Sequence, residues 1–288
     1  MREIIISTES GSDMPKNLVD KYGVYVIPMH VIMDDKSYPD GEIPVDMVFD
    51  YFKSTGKVPT TSAVNDFEYT EFFNKIRAEH PDCVIYHVAY TSQASSTYQS
   101  ANIAIKEFED IYLLDSKSVS GGCTAYIASV YEEIQARKDS LNTKEDYDKL
   151  FNDLQAMADK VACHFIPNTL EYLKAGGRVS NAKFLLASAL NLKPLIEMVS
   201  GKLVTTKKYR GEIIRWVDKF FDDFLAKYKL KKECLYLMYG KGLPQKVLDK
   251  MAELAKKHGF KHFEYVMTGC VISCHGGEGA IGLAGVEA

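Results

Sequence analysis

What this sequence lacks narrows its chemistry at once. No GxGxxG follows the first apolar run, so a dinucleotide site has no support. GxxxxGK[ST] is missing, which removes the P-loop. GxSxG and HExxH are missing too, and with them the usual serine-hydrolase elbow and the zinc-protease helix. The six cysteines, at 83, 123, 163, 234, 270 and 274, form no CxxC and no zinc-finger spacing with histidine. They read as reduced, mostly buried thiols of a cytoplasmic protein. No apolar run approaches the ~18 residues of a membrane span, and the apolar run after Met1-Arg2-Glu3 is too short for a signal peptide. The net charge of −4 gives no basic pull toward nucleic acid or anionic membrane.

What is present is an ordinary core-forming composition, 46% apolar and 26% charged over 288 residues, a length that suits two domains. Apolar runs with strand character fall at Ile4–Ser7, Val24–Met33, Cys83–Ala89, Ile111–Leu114, Val161–Ile166, Pro194–Val199, Cys234–Tyr239 and His262–Val266. Amphipathic helical stretches lie between most of them: Pro15–Tyr22, Pro44–Ser54, Phe67–His80, Ser96–Phe108, Thr124–Arg137, Lys144–Lys160, Asn181–Asn191, Gly211–Lys229 and Lys246–His258. This alternation predicts α/β layers with largely parallel sheets. The expected division is an N-terminal Rossmann-like parallel-sheet domain over residues 1–160 and a C-terminal α/β domain over residues 161–288.

Four segments carry concentrated polar chemistry. In Pro59–Ala63, Ser62 and Asn65 suit a helix cap, whereas Thr61 is a spare hydroxyl donor. In Tyr90–Ala101, Ser96 followed by Gln99 reads as a helix start, leaving Ser92 and Ser95 facing a ligand, with Ser95 preferred. In Leu170–Ser180, Gly176 and Gly177 end a helix, Ser180 caps the next, and Arg178 projects as a fork for phosphate or carboxylate. In Cys270–Ala280, His275 and Gly276 stand among further glycines that permit close backbone approach to a ligand. Cys274 and His275, taken as extended chain, point to opposite faces and make a poor catalytic pair. Together these groups suit holding an anionic head group. No nucleophile–base–orienter set is visible.

At these residues the sequence resembles the DegV family of fatty-acid-binding proteins. The matching pieces are Ser7–Ser10, Thr60–Ser62, Ser95–Ala101, Leu114–Gly122, Leu170–Ser180 and the His275 segment, in family order nearly end to end. The resemblance implies two α/β domains that hold one long-chain fatty acid, with the carboxylate bound by Thr61, Ser95 and His275. It implies a partner fatty acid kinase subunit that makes an acyl phosphate for phospholipid synthesis, with Arg178 at the mouth and no cofactor or metal on this chain. It makes the protein a carrier rather than an enzyme. Two departures stand out. Ser96 replaces a family glycine, which shifts the loop, and Glu278 adds negative charge near the head-group site. The alternatives are an enzyme acting on a small carboxylate or acyl ester through Ser95 or Cys274 with His275, and an interaction module without ligand.

Overall fold

The structure is a computed structural model that describes residues 2–180 and 192–288. The first sheet is parallel throughout, in the order β2 (Tyr25–Ile27), β1 (Ile4–Glu9), β6 (Val84–Ala89), β7 (Ile111–Asp115). Its central strands are buried on both faces, which is why they read as unbroken apolar runs. Ile5, Ile85 and Leu113 face a core shared with helix α3 (Asp66–Glu79). Ile6, Tyr86 and Leu114 face α5 (Gly121–Arg137) and α6 (Lys144–Met157). The chain switches direction between β1 and β6, so the loop after β6, Tyr90–Ser96, opens at the crevice where such sheets receive ligands.

The predicted strand Val24–Met33 is two strands in two sheets. Pro28 separates them because it has no N–H to give a ladder, and the Met29 N–H turns to Ser10 Oγ at 3.0 Å. The second half, β3 (His30–Met33), joins β4 (Lys36–Pro39) and β5 (Thr60–Ser62) in a small antiparallel sheet. That sheet carries Thr61, paired with Val31. Asn65 and Glu68 form the capping box of α3, with bonds of 2.9 and 2.8 Å, so Ser62 is not needed as a cap.

Residues 161–286 supply the third sheet, in the order β13 (His262–Met267), β12 (Cys234–Tyr239), β14 (Ile281–Val286), β8 (Val161–Ile166), β10 (Leu192–Val199), β11 (Lys202–Arg210), β9 (Val179–Ser180). Four of its six pairings are antiparallel, which corrects the expectation of largely parallel sheets. Helix α5 lies between this sheet and the first. Ala125 and Ala128 face the third sheet, while Tyr126, Ile127 and Val130 face the first. α8 (Val217–Lys227) and α9 (Gln245–Lys257) cover the other face of the third sheet with Phe220, Phe221, Phe224 and Met251. The predicted start of α8 at Gly211 moves to Val217 because β11 runs on to Arg210. The predicted helix 181–191, and the one Ser180 was to cap, lie outside the described residues.

A short helix, α10 (Cys270–Gly276), leaves the third sheet and packs Cys270, Val271 and Cys274 into the core of the first half of the chain. The extended reading of Cys274 and His275 is therefore corrected to helical. All six cysteines are free, and only Cys234 is not fully buried.

Candidate functional site

A cavity of about 440 Å³ lies between α10, the loop after β6 and one face of the third sheet. This is within the usual ~300–1,000 Å³ range of small-molecule sites. Thr61, Ser62, Ser92, Ser95, Arg178, His275 and Gly276 all line it. Elsewhere its described walls include Phe165, Leu203, Met238, Val271 and Ile281. Seven polar-segment residues drawn from four separate stretches of sequence thus meet on one apolar cavity.

The centre of the polar side is a bond of 3.0 Å between Thr61 Oγ1 and His275 Nε2, across 214 residues of sequence. His275 Nδ1 is buried and has no partner among the described residues. An orphaned lone pair is less costly than an orphaned N–H. The favoured tautomer therefore carries its proton on Nε2 and donates it to Thr61. That leaves the threonine hydroxyl hydrogen free to point into the cavity. Burial, and then the nearby Arg178 charge, pushes the imidazole down to about 4, so it is neutral at pH 7.

Gly176 has a reason here that sequence reading missed. A Cβ at that position would come within 2.3 Å of His275 Nδ1, so only glycine lets the ring reach Thr61. Gly177 ends α7 (Leu170–Gly176) in the left-handed conformation, at φ 63°. The exposed Arg178 then folds back, and its Nη1 donates to Gly176 O at 2.7 Å. Gly276 lines the cavity, whereas Gly277 backs onto the Tyr172 ring, so the glycine-rich segment mainly serves chain packing rather than ligand approach.

The serine assignments reverse. Ser96 makes no capping bond and takes an ordinary helical backbone, with φ −75° and ψ −4°, so no glycine is needed there. Ser95 Oγ does the capping of α4 (Thr97–Ala104). It accepts from the Thr97 N–H at 3.2 Å and donates to Thr97 Oγ1 at 2.8 Å. Ser95 still lines the cavity, and the hydroxyl hydrogen it donates to Thr97 Oγ1 can turn to a ligand oxygen instead. Ser92 lines it beside the Asp115 carboxylate, which accepts its backbone N–H at 3.3 Å. Glu278 is not among the described residues that line the cavity, and its carboxylate lies 3.3 Å from Lys53 Nζ, so its charge is paired.

Three buried carboxylates hold this geometry, and none stood out in the sequence as functional. Glu9, fully buried at the end of β1, accepts from His87 Nε2 at 2.9 Å, from the Tyr90 N–H at 2.7 Å and from the Tyr69 hydroxyl. Burial pushes its pKa up, but the His87 charge and these donors more than offset that and hold it low. The Tyr90 bond fixes the first residue of the loop that carries Ser92 and Ser95. Asp13 accepts from the Gly269 N–H at 2.8 Å, and Asp40 from the Cys270 N–H at 2.9 Å. These bonds satisfy the start of α10, whose last turn presents His275. Burial raises the pKa of both aspartates, most for Asp13.

The groups needed for nucleophilic chemistry are not bonded to one another. Ser95 is committed to Thr97, and His275 to Thr61. Burial drives the Cys274 thiol far above its ordinary value, away from the reactive thiolate. What the arrangement offers is a hydroxyl donor backed by a neutral imidazole at the edge of an apolar space.

Fold and site thus define a mixed α/β protein built around an internal pocket with a polar mouth. The chain belongs to the DegV family: the family model described as "Uncharacterised protein, DegV family" matches residues 3–288. It is similar to a DegV domain-containing protein of Caldanaerobacter subterraneus subsp. tengcongensis, 30% identical over 223 residues that cover 75% of this chain and 76% of the relative. Among solved structures it is similar to a fatty-acid-binding DegV family protein from Thermus thermophilus, with TM-score 0.83, 23% identity and complete coverage of both chains. It is also similar to DegV, a fatty acid binding protein from Bacillus subtilis, with TM-score 0.80, 22% identity and complete coverage of both. No helix among the described residues is long and apolar enough to cross a membrane.

Proposed function

We propose that this protein is a cytoplasmic carrier that buries the tail of one long-chain fatty acid between the halves 1–160 and 161–288. Thr61, Ser95 and His275 hold the carboxylate, and it is presented to a fatty acid kinase subunit for acyl-phosphate formation. The observation that carries the reading is the Thr61–His275 pair opening onto an apolar cavity. About a dozen buried methylenes contribute roughly 10 kcal/mol, enough to offset much of the roughly 4–15 kcal/mol that association costs. A carboxylate cannot follow the tail into the apolar space unpaired, so it must stop where donors exist. Thr61 donates its hydroxyl hydrogen and receives the imidazole N–H in return. The arriving negative charge raises the His275 pKa again and strengthens the same chain of donors. Ser62, Ser92 and Gly276 surround the head group. The exposed Arg178 at the same opening suits either the acquired phosphate or the partner's surface. The kinase subunit supplies the phosphate donor, so this chain needs no cofactor.

Native mass spectrometry of the purified full chain tests the binding step. A single co-purifying or added long-chain acid per protein is expected, and no uptake of any added acid rejects the reading. Addition of a fatty acid kinase subunit with ATP to the loaded protein tests presentation, with acyl phosphate as the expected product.

A further inference from the structure

The cavity lining follows one face of the third sheet in strand order. Val179 on β9, Leu203 on β11, Phe165 on β8, Gly282 on β14 and Met238 on β12 come in that order, with β10 between β11 and β8 contributing no lining residue. Arg178, at the polar mouth, adjoins the first of these, and Met238 is the last. Five inter-strand steps of about 4.8 Å place the two ends of that row roughly 24 Å apart.

Met238 occupies a peculiar seat. A Cβ on Gly121, at the start of α5, would fall 2.5 Å from Met238 Cγ and 2.8 Å from its Sδ. A Cβ on Gly282 would fall 2.6 Å from Met238 Cε. The thioether chain thus fills a slot that exists only because both neighbours lack side chains, while its near side walls the cavity. It is 4% exposed and has no polar duty. Methionine is unbranched and soft, able to change rotamer where a leucine would be fixed.

We propose that Met238, seated in the slot between Gly121 and Gly282, is the end stop of the cavity and sets the acyl length the protein accepts. The inference rests on the fatty acid reading above. A tail that stops short of Met238 leaves unfilled space. A tail that reaches beyond it must drive the thioether out of its slot. Met238→Ala removes Cγ, Sδ and Cε and opens room for about three more methylenes, each worth about fourfold in affinity. Gly121→Ala acts in the opposite direction. Among the described residues the Met238 side chain is the only group that comes within 3.4 Å of the new methyl, and Gly121 has no left-handed backbone to forbid alanine. The methyl therefore pushes Met238 into the cavity.

The test is competition for the purified full chain among equimolar saturated acids of graded length, read by native mass spectrometry. Wild type should show a maximum at one length. Met238→Ala should move that maximum up by two or three carbons, and Gly121→Ala should move it down, with thermal melts confirming that both variants fold. Should one variant fail to fold, the other still decides the sign. Wild-type uptake with the same length profile in all three proteins overturns the end stop alone. No uptake by wild type overturns the fatty acid reading and the end stop with it.

Discussion

Replacing Thr61 by valine removes one hydroxyl and keeps the shape. Valine is at home in a strand, and Thr61 sits mid-way along the three-residue β5, half-buried, with its neighbours Thr60 and Ser62 exposed. Two bonds are lost: the one from His275 Nε2, and the one offered to a carboxylate. The first loss strands a partly buried imidazole N–H in free and bound protein alike. It therefore appears as roughly 1–3 kcal/mol of stability rather than as affinity. The second appears in binding. A hydrogen bond to a charged group contributes about 1.5–3 kcal/mol, so a long-chain acid should bind roughly 10- to 150-fold more weakly. Its methyl ester, which accepts only a neutral bond of about 0.5–1.5 kcal/mol, should lose roughly 2- to 12-fold. Calorimetric titration of both ligands into wild type, Thr61→Val and Thr61→Ser checks this, the serine variant recovering most of the acid affinity. Equal losses for acid and ester, or an unchanged acid affinity in Thr61→Val, would refute the placement of the carboxylate at Thr61.

Gly176→Ala should displace the His275 ring, because the new methyl falls 2.3 Å from Nδ1. Thr61 keeps the hydroxyl that donates to the carboxylate, so acid affinity falls less than in Thr61→Val, while stability falls by a similar roughly 1–3 kcal/mol; in urea titrations the double variant is less than additive because one pair is lost in both. His164, outside the site, gives a pH signature. Burial depresses its imidazole to about 4, so its neutral form stabilises the fold above the ordinary value of 6.5, and that stability is lost as pH falls toward 4. Over that window wild type should lose about 3 kcal/mol more than His164→Gln in urea titrations. A parallel decline of the two proteins would contradict the assignment.

The clearest strand in the sequence was the doubly buried β6. Val84–Ala89 is buried at every position and reads as an uninterrupted apolar run. β11 was missed because Lys202, Thr206, Lys208 and Arg210 alternate outward and break the apolar signal. β14 was missed because its glycines look like a ligand loop. Gly282 is in fact demanded by the backbone, since a Cβ there would lie 2.8 Å from His164 O. α10 has no local cap to announce it, and its N-terminal amides are satisfied by Asp13 and Asp40, over 200 residues away in sequence. The site residues were legible as residue types in polar segments. Their bonding was not: the Thr61–His275 pair is a product of tertiary placement, and the division of labour between Ser95 and Ser96 depends on half a turn of helix start.

The position of β14 bears on how the chain is made. Ile281–Val286 lies between β12 and β8, which never touch each other in the ladder. While residue 286 is still inside the ribosomal exit tunnel, those two strands have emerged with bare edges and no neighbour to close them. The N-terminal half is held open for nearly as long, because its core waits for Cys270, Val271 and Cys274. Closure of the third sheet thus waits for Ile281–Val286.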